Sequence, residues 1–367
     1  MKKSYHIYFA VAGEDCVRFG NLDPESGKID FVEDYLVPWG PEAMSMSPDQ
    51  DVLIVACHPR KQPEGEASRR PMLYSFRRDK VSGCLHLINS VQNEYAPTYV
   101  FVDRKAKHLL SAYYRMGAVS VHELKEDGAL GELKQWIPTG GGAHSVQTTP
   151  DNQFVFVPHV STSPVNINTW KPLMSPEHIL PSASNTILQF KYDEESGQLV
   201  QNEPFKIPGF RGGGPRHQCY HPKLNVLYFS NEQGCAVTAY ALDSEKGTIE
   251  PMQHVSTLPD EGVDCYVSNS SIKISHNGKF LYCLNRGYDS IACYAIDEKT
   301  GRLTKLEVVE GEAQCHVIEV SPDDKFLYTV GHKSGMMRTY RIMDDGRLQQ
   351  LSRTELGKET KWIIAVD

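Results

Sequence analysis

A carboxylate beside two guanidinium groups and an imidazole suits proton transfer on an anionic, oxygen-rich substrate. This sequence places such groups at equivalent points along its length. His144 lies in GGAHSV, Arg216 in GGGPRHQ, His316 in AQCHVIEV and Lys361 in KWIIAVD, each where a strand begins. Asn231 and Glu232 lie in YFSNEQG and Arg286 in YCLNRGY, each where a strand ends, as do His58, His159, His332 and Lys333. Glycine triplets, 140–142 and 212–214, precede two of these positions and allow close approach of backbone to a ligand. Arginines beside the carboxylate and the imidazoles would repel a cation, so no metal is expected. No strand–turn–helix context surrounds the glycines, so no nucleotide or other cofactor is expected either.

Groups so far apart in the chain meet only if a repeating scaffold carries them. One recurrent signal is a polar or acidic cluster, a glycine and then Leu or Ile opening a strand. It occurs at Gly27, Gly83, Gly128, Gly197, Gly247, Gly301 and Gly346. Glycine suits the positive φ of such hairpin loops, and the flanking residues alternate as half-buried strands do. Between the hairpins stands a second signal, a strand, a Pro-Asp-type turn and another strand. It covers Met44 to Cys57, Val146 to Val157, Cys219 to Ser230, Lys273 to Leu284 and Glu319 to Val330, and more weakly Val100 to Tyr113. The missing seventh copy is divided between the ends. Lys361 to Asp367 supplies its first strand, and Ser4 to Val11 its second.

Each unit therefore runs strand A, turn, strand B, loop, strand C, hairpin, strand D. That is the signature of an all-β, seven-bladed β-propeller, with the first blade closed by the C-terminal strand. One propeller domain over residues 1–367 is expected. In this register the A-strand starts and the B-strand ends open on one rim of the ring, where the reactive groups gather. Two insertions, 59–71 and 159–185, fall on that rim and are expected to shape a mouth, and residues 258–269 lengthen the approach to blade six.

A net charge of −8 argues against nucleic acid as a partner, and no stretch approaches the ~20 apolar residues of a membrane span. The nine cysteines are odd in number, scattered and without a C-x-x-C pair, which favours free thiols in a reducing cytoplasm. The opening MKKSYHIYFAVAG imitates a secretory leader, but His6 interrupts its short apolar run and the repeat gives those residues a strand to form.

The segments GAHSVQTTPDNQFVFVP, GGGPRHQCYHPKLNVLYFSNE, SSIKISHNGKFLYCLNR and KWIIAVD, taken with the repeat, resemble the lactonase family of seven-bladed propellers. That family includes bacterial propeller-type 6-phosphogluconolactonase and fungal carboxymuconate cyclase. The resemblance covers essentially the whole chain and maps the family's His, Arg, Glu and Arg onto His144, Arg216, Glu232 and Arg286. It implies hydrolysis of a sugar-acid lactone, a small anionic substrate resembling 6-phosphogluconolactone. Glu232 would be the general base, directly or through His144. Arg216 and Arg286 would stabilise an oxyanion or hold a substrate acid group, with His316, Lys361 and Asn231 as further substrate contacts. Two alternatives stay open: a lactonising cycloisomerase of the carboxymuconate type, and a non-catalytic propeller that binds an anionic ligand or a protein.

Overall fold

The computed structural model describes residues 5–59, 70–160 and 185–367. Seven four-stranded antiparallel sheets stand around an axis, each meandering outward from strand A to strand D. The inner strands are Thr360–Val366, Pro41–Met46, Tyr99–Val102, Gln147–Thr148, Pro215–Tyr220, Ser268–Ile274 and Cys315–Val320, for blades one to seven. The divided blade closes as the sequence implies. Residues Thr360–Val366 pair antiparallel with Tyr5–Val11, placing Ile7 opposite Ala365 and Phe9 opposite Ile363. Most of the two insertions expected to shape the mouth lies outside the described residues.

Burial changes from the axis outward, and the sequence follows it. Second strands such as Val52–Cys57 and Phe326–Gly331 are buried throughout, because each is covered on both faces by neighbouring blades. Outer strands such as Leu348–Glu355 are largely exposed. A continuous apolar run therefore marks strand B, whereas alternation marks the strands with one wet face.

Neighbouring blades are also tied by a repeated polar contact. Tyr8, Tyr228, Tyr282 and Tyr328, all on second strands, donate to the carbonyls of Gly83, Gly301, Gly346 and Gly27 on the adjoining blade's hairpin, at 2.5, 2.7, 3.1 and 3.3 Å. Each such bond adds about 1 kcal/mol net, more for the penalty avoided in burying a lone hydroxyl. All seven hairpin glycines have positive φ. At Gly247 a Cβ would also stand 2.0 Å from the Phe154 ring, so hairpin and neighbouring blade leave no room for a side chain.

A shared irregularity sets the directions of the rim side chains. Five inner strands slip register at the same height, just inside the rim. Glu42 is the extra residue between Pro41 and Ala43, His316 between Cys315 and Val317, and Lys361 between Thr360 and Trp362. Arg216 and His217 together face the stretch of one residue, and blade six slips between Asn269 and Ile272. Such a bulge breaks strict alternation and re-aims side chains.

Candidate active site

Blades five and six build the centre of the rim. Glu232 follows the second strand Val226–Asn231, and its backbone bridges two blades. Its N–H donates to the Gly214 carbonyl at 2.8 Å, and its carbonyl accepts from the Asn269 N–H at 3.0 Å. Arg216 is fixed from blade four, where the Ser145 hydroxyl donates to its carbonyl at 2.9 Å. Arg286 ends its strand with Nη2 donating to the Asn269 carbonyl at 3.0 Å. Beneath them, the buried Asn269 amide bonds Thr257 and Asn285 at 3.0 and 2.7 Å.

On this frame the Glu232 carboxylate is clamped from both sides. Its Oε2 lies 2.9 Å from Arg216 Nε and its Oε1 lies 2.9 Å from Arg286 Nη2. The Arg216 contact is an ion pair without a directed hydrogen bond. The Arg216 side chain is 3% exposed, against 23% for Glu232 and 22% for Arg286. Burial first, and then the Arg286 charge, bring the Arg216 guanidinium down to about 10, with Glu232 opposing the shift. It therefore remains a cation at neutral pH.

Imidazoles continue the wall. Arg216 Nη1 donates to His217 Nε2 at 3.1 Å, which puts the His217 proton on Nδ1. The His217 ring meets His144 edge-on at 5.1 Å, and His144 meets Tyr114 at 5.5 Å. Tyr99 and Trp362 pack behind His217 at 5.4 and 6.1 Å. Burial, followed by the Arg216 charge, holds His144, His217 and His316 well below the ordinary imidazole range. These rings are neutral in the folded protein. The Nδ1 of His144 is buried and has no hydrogen-bond partner among the described residues.

The sequence-derived groups thus separate into three sets. Glu232, Arg216, Arg286 and His144 come together, with His144 joined to the clamp through His217. His316 and Lys361 stand at the bulges of blades seven and one; His316 feels the Arg216, Lys361 and Arg286 charges, and its ring lies 5.9 Å from that of His332. Asn231 is not brought to the opening. It is 1% exposed, and its amide donates to the Ala236 carbonyl at 3.1 Å and to Thr238 Oγ1 at 2.9 Å, bracing the loop that carries Glu232. The closeness that Gly142 permits is likewise internal: a Cβ there would stand 2.2 Å from the Val160 carbonyl. His217, Tyr114 and Glu42 were not singled out by sequence. For His217 the signal was its place directly after Arg216, where a bulge turns two successive residues toward one side.

Neutral buried histidines make stability depend on pH. Burial is the first cause at His6, His122 and His159, each lowered from 6.5 to about 4. Between those values the unfolded chain takes up protons that the folded chain refuses. Their contribution is therefore complete above pH ~6.5 and is lost progressively toward pH ~4. Urea midpoints measured from pH 7.5 down to 5 should fall steadily, before most carboxylates titrate. A flat midpoint over that range would contradict the assignment.

Comparison with known proteins agrees with the architecture. A family model described as "Lactonase, 7-bladed beta-propeller" matches residues 7–171 and 183–365. A 6-phosphogluconolactonase of Enterobacter sp. (strain 638) is 24% identical over 98% of both chains. Among solved structures, a periplasmic gluconolactonase of Pseudomonas aeruginosa superposes with a TM-score of 0.83 at 22% identity, covering 100% of this chain and 99% of its own. A protein from Lactobacillus plantarum gives 0.82 at 20% identity over 100% of both. At these identities the superpositions speak for the fold.

Proposed function

Because the chain belongs to the seven-bladed β-propeller lactonase family, we propose that it hydrolyses the lactone of a sugar acid at the mouth built by Glu232, Arg216 and Arg286. The observation that carries this reading is the partly exposed Glu232 carboxylate, 2.9 Å from a guanidinium nitrogen on either side.

Glu232 takes a proton from water as the water oxygen attacks the lactone carbonyl carbon. The carbonyl oxygen becomes an oxyanion, and the charge that develops there faces Arg216 and Arg286. Both guanidiniums are already oriented, so little reorganisation is needed as the transition state forms. Collapse breaks the bond between the carbonyl carbon and the ring oxygen. The proton held by Glu232 passes to that oxygen, directly or through His144, which leaves a hydroxyl and a carboxylic acid. A neutral His144 with an unpartnered nitrogen can accept and return a proton, whereas an imidazolium could not accept one.

The cations at the clamp suit one negative charge, either the oxyanion or an acid group of the substrate. The reading covers gluconolactone and its 6-phosphate alike, and the Pseudomonas and Enterobacter relatives carry both activities in their names. Ring opening followed by acid release at constant pH tests it. The protein should exceed the spontaneous rate on at least one member of an aldonolactone panel that includes both compounds. Equal rates with protein and with buffer across the panel would favour a binding role instead.

A further inference from the structure

A second charged pair stands farther round the ring, on the inner strands of blades one and two. Lys361 Nζ lies 3.4 Å from Glu42 Oε1, with side chains 17% and 29% exposed. Each is the extra residue of its bulge, so both leave the alternation of their strands at the height where His316 does so on blade seven. His58 and His332 feel the charges of both partners, and His316 feels that of Lys361. Burial is the first cause lowering all three, with the Lys361 charge adding to it. His332 Nδ1 is buried without a partner among the described residues.

Resting on the proposed hydrolysis, we infer that Glu42 is a specificity-determining residue. With Lys361 it forms a cradle of no net charge for the hydroxyl-bearing tail of an unphosphorylated sugar lactone, and it disfavours a tail ending in a dianion. An ammonium, a carboxylate and neutral imidazoles in one patch offer donors and acceptors in alternation, which matches neighbouring hydroxyls. A phosphate drawn to Lys361 would have to break its contact with Glu42 and then lie beside that carboxylate. Like-charge juxtaposition of this kind is how a site rejects the wrong ligand. Among the described residues, the other cations of this rim do not undo the balance. Arg216 and Arg286 already share Glu232. Arg115 and Lys333 are exposed, where water and salt screen them.

The test is the ratio of kcat/KM for glucono-1,5-lactone 6-phosphate to that for the unphosphorylated lactone. Glu42→Gln should raise this ratio about tenfold or more, through a lower KM for the phosphorylated compound. Lys361→Gln, which leaves Glu42 alone at the cradle, should lower it. Glu42→Asp, which keeps the charge, should stay near the wild-type ratio. A ratio that stays constant or falls in Glu42→Gln overturns the inference while leaving hydrolysis intact. If Glu42→Gln does not fold, a ratio unchanged or raised in Lys361→Gln overturns it equally. If the wild type opens neither lactone faster than buffer, the hydrolysis reading fails and this inference falls with it.

Discussion

Glu232→Gln is expected to lower kcat/KM for lactone opening by about 10²–10⁴, nearly all of it in kcat. Glutamine keeps the shape of the side chain, but it offers the clamp one oxygen where the carboxylate offers two, and it cannot take the proton from water. A second effect separates this substitution from a merely structural lesion. Arg216 and Arg286 would lose the negative charge they share, and the Arg286 charge already weighs on Arg216. The variant should therefore bind the open sugar acid more tightly than the wild type does, while turning over far less lactone. Far-UV circular dichroism and the melting temperature monitor folding. A Glu232→Gln protein within a few-fold of wild-type kcat would remove Glu232 from the chemistry.

Arg216→Lys should cost about 10²–10³ in kcat, because a lysine supplies one point charge where the guanidinium serves several partners in fixed directions. Arg216 reaches Glu232 through Nε and His217 through Nη1, and it is almost wholly buried. Arg286 is more exposed and touches Glu232 and the Asn269 carbonyl through a single nitrogen. Arg286→Lys should accordingly lose less, on the order of tenfold. Groups that act as a unit are not additive, so Glu232→Gln/Arg216→Lys should fall little below Glu232→Gln alone. Single-turnover rates for the four variants, three single and one double, check this order. Losses that multiply, or a larger loss at Arg286, would mean that the clamp does not act as one unit.

The ring was legible because its signals are local. A hairpin glycine such as Gly301 declares its positive φ through its neighbours, and a buried second strand such as Val52–Cys57 declares itself as an apolar run. Head and tail could be joined because each carried half of a pattern repeated elsewhere in full. Glu232, Arg216 and Arg286 came with the ring, since strand ends at equivalent heights share one rim. What escaped depends on register, which a single strand does not reveal. Alternation sends His217 away from Arg216, and the bulge brings it back. Glu42 precedes the stretch from Met44 that carried the strand signal, yet the strand begins at Pro41 and slips at Glu42. Asn231 was placed by its adjacency to Glu232. Whether an amide faces a ligand or its own loop is decided by partners such as Thr238, which only the folded chain identifies.

The pairing of Thr360–Val366 with Tyr5–Val11 has a consequence for how the molecule is made. Arg18 bonds the Leu356 carbonyl 338 positions away, so the seam of the ring joins segments that leave the ribosome far apart in time. For most of synthesis the apolar segment Tyr5–Val11 has no partner along one edge, which invites chaperones or a neighbouring nascent chain to cover it. The strand that finally covers it also delivers Lys361, so a polypeptide stalled six blades along would be both sticky and unable to assemble the full mouth.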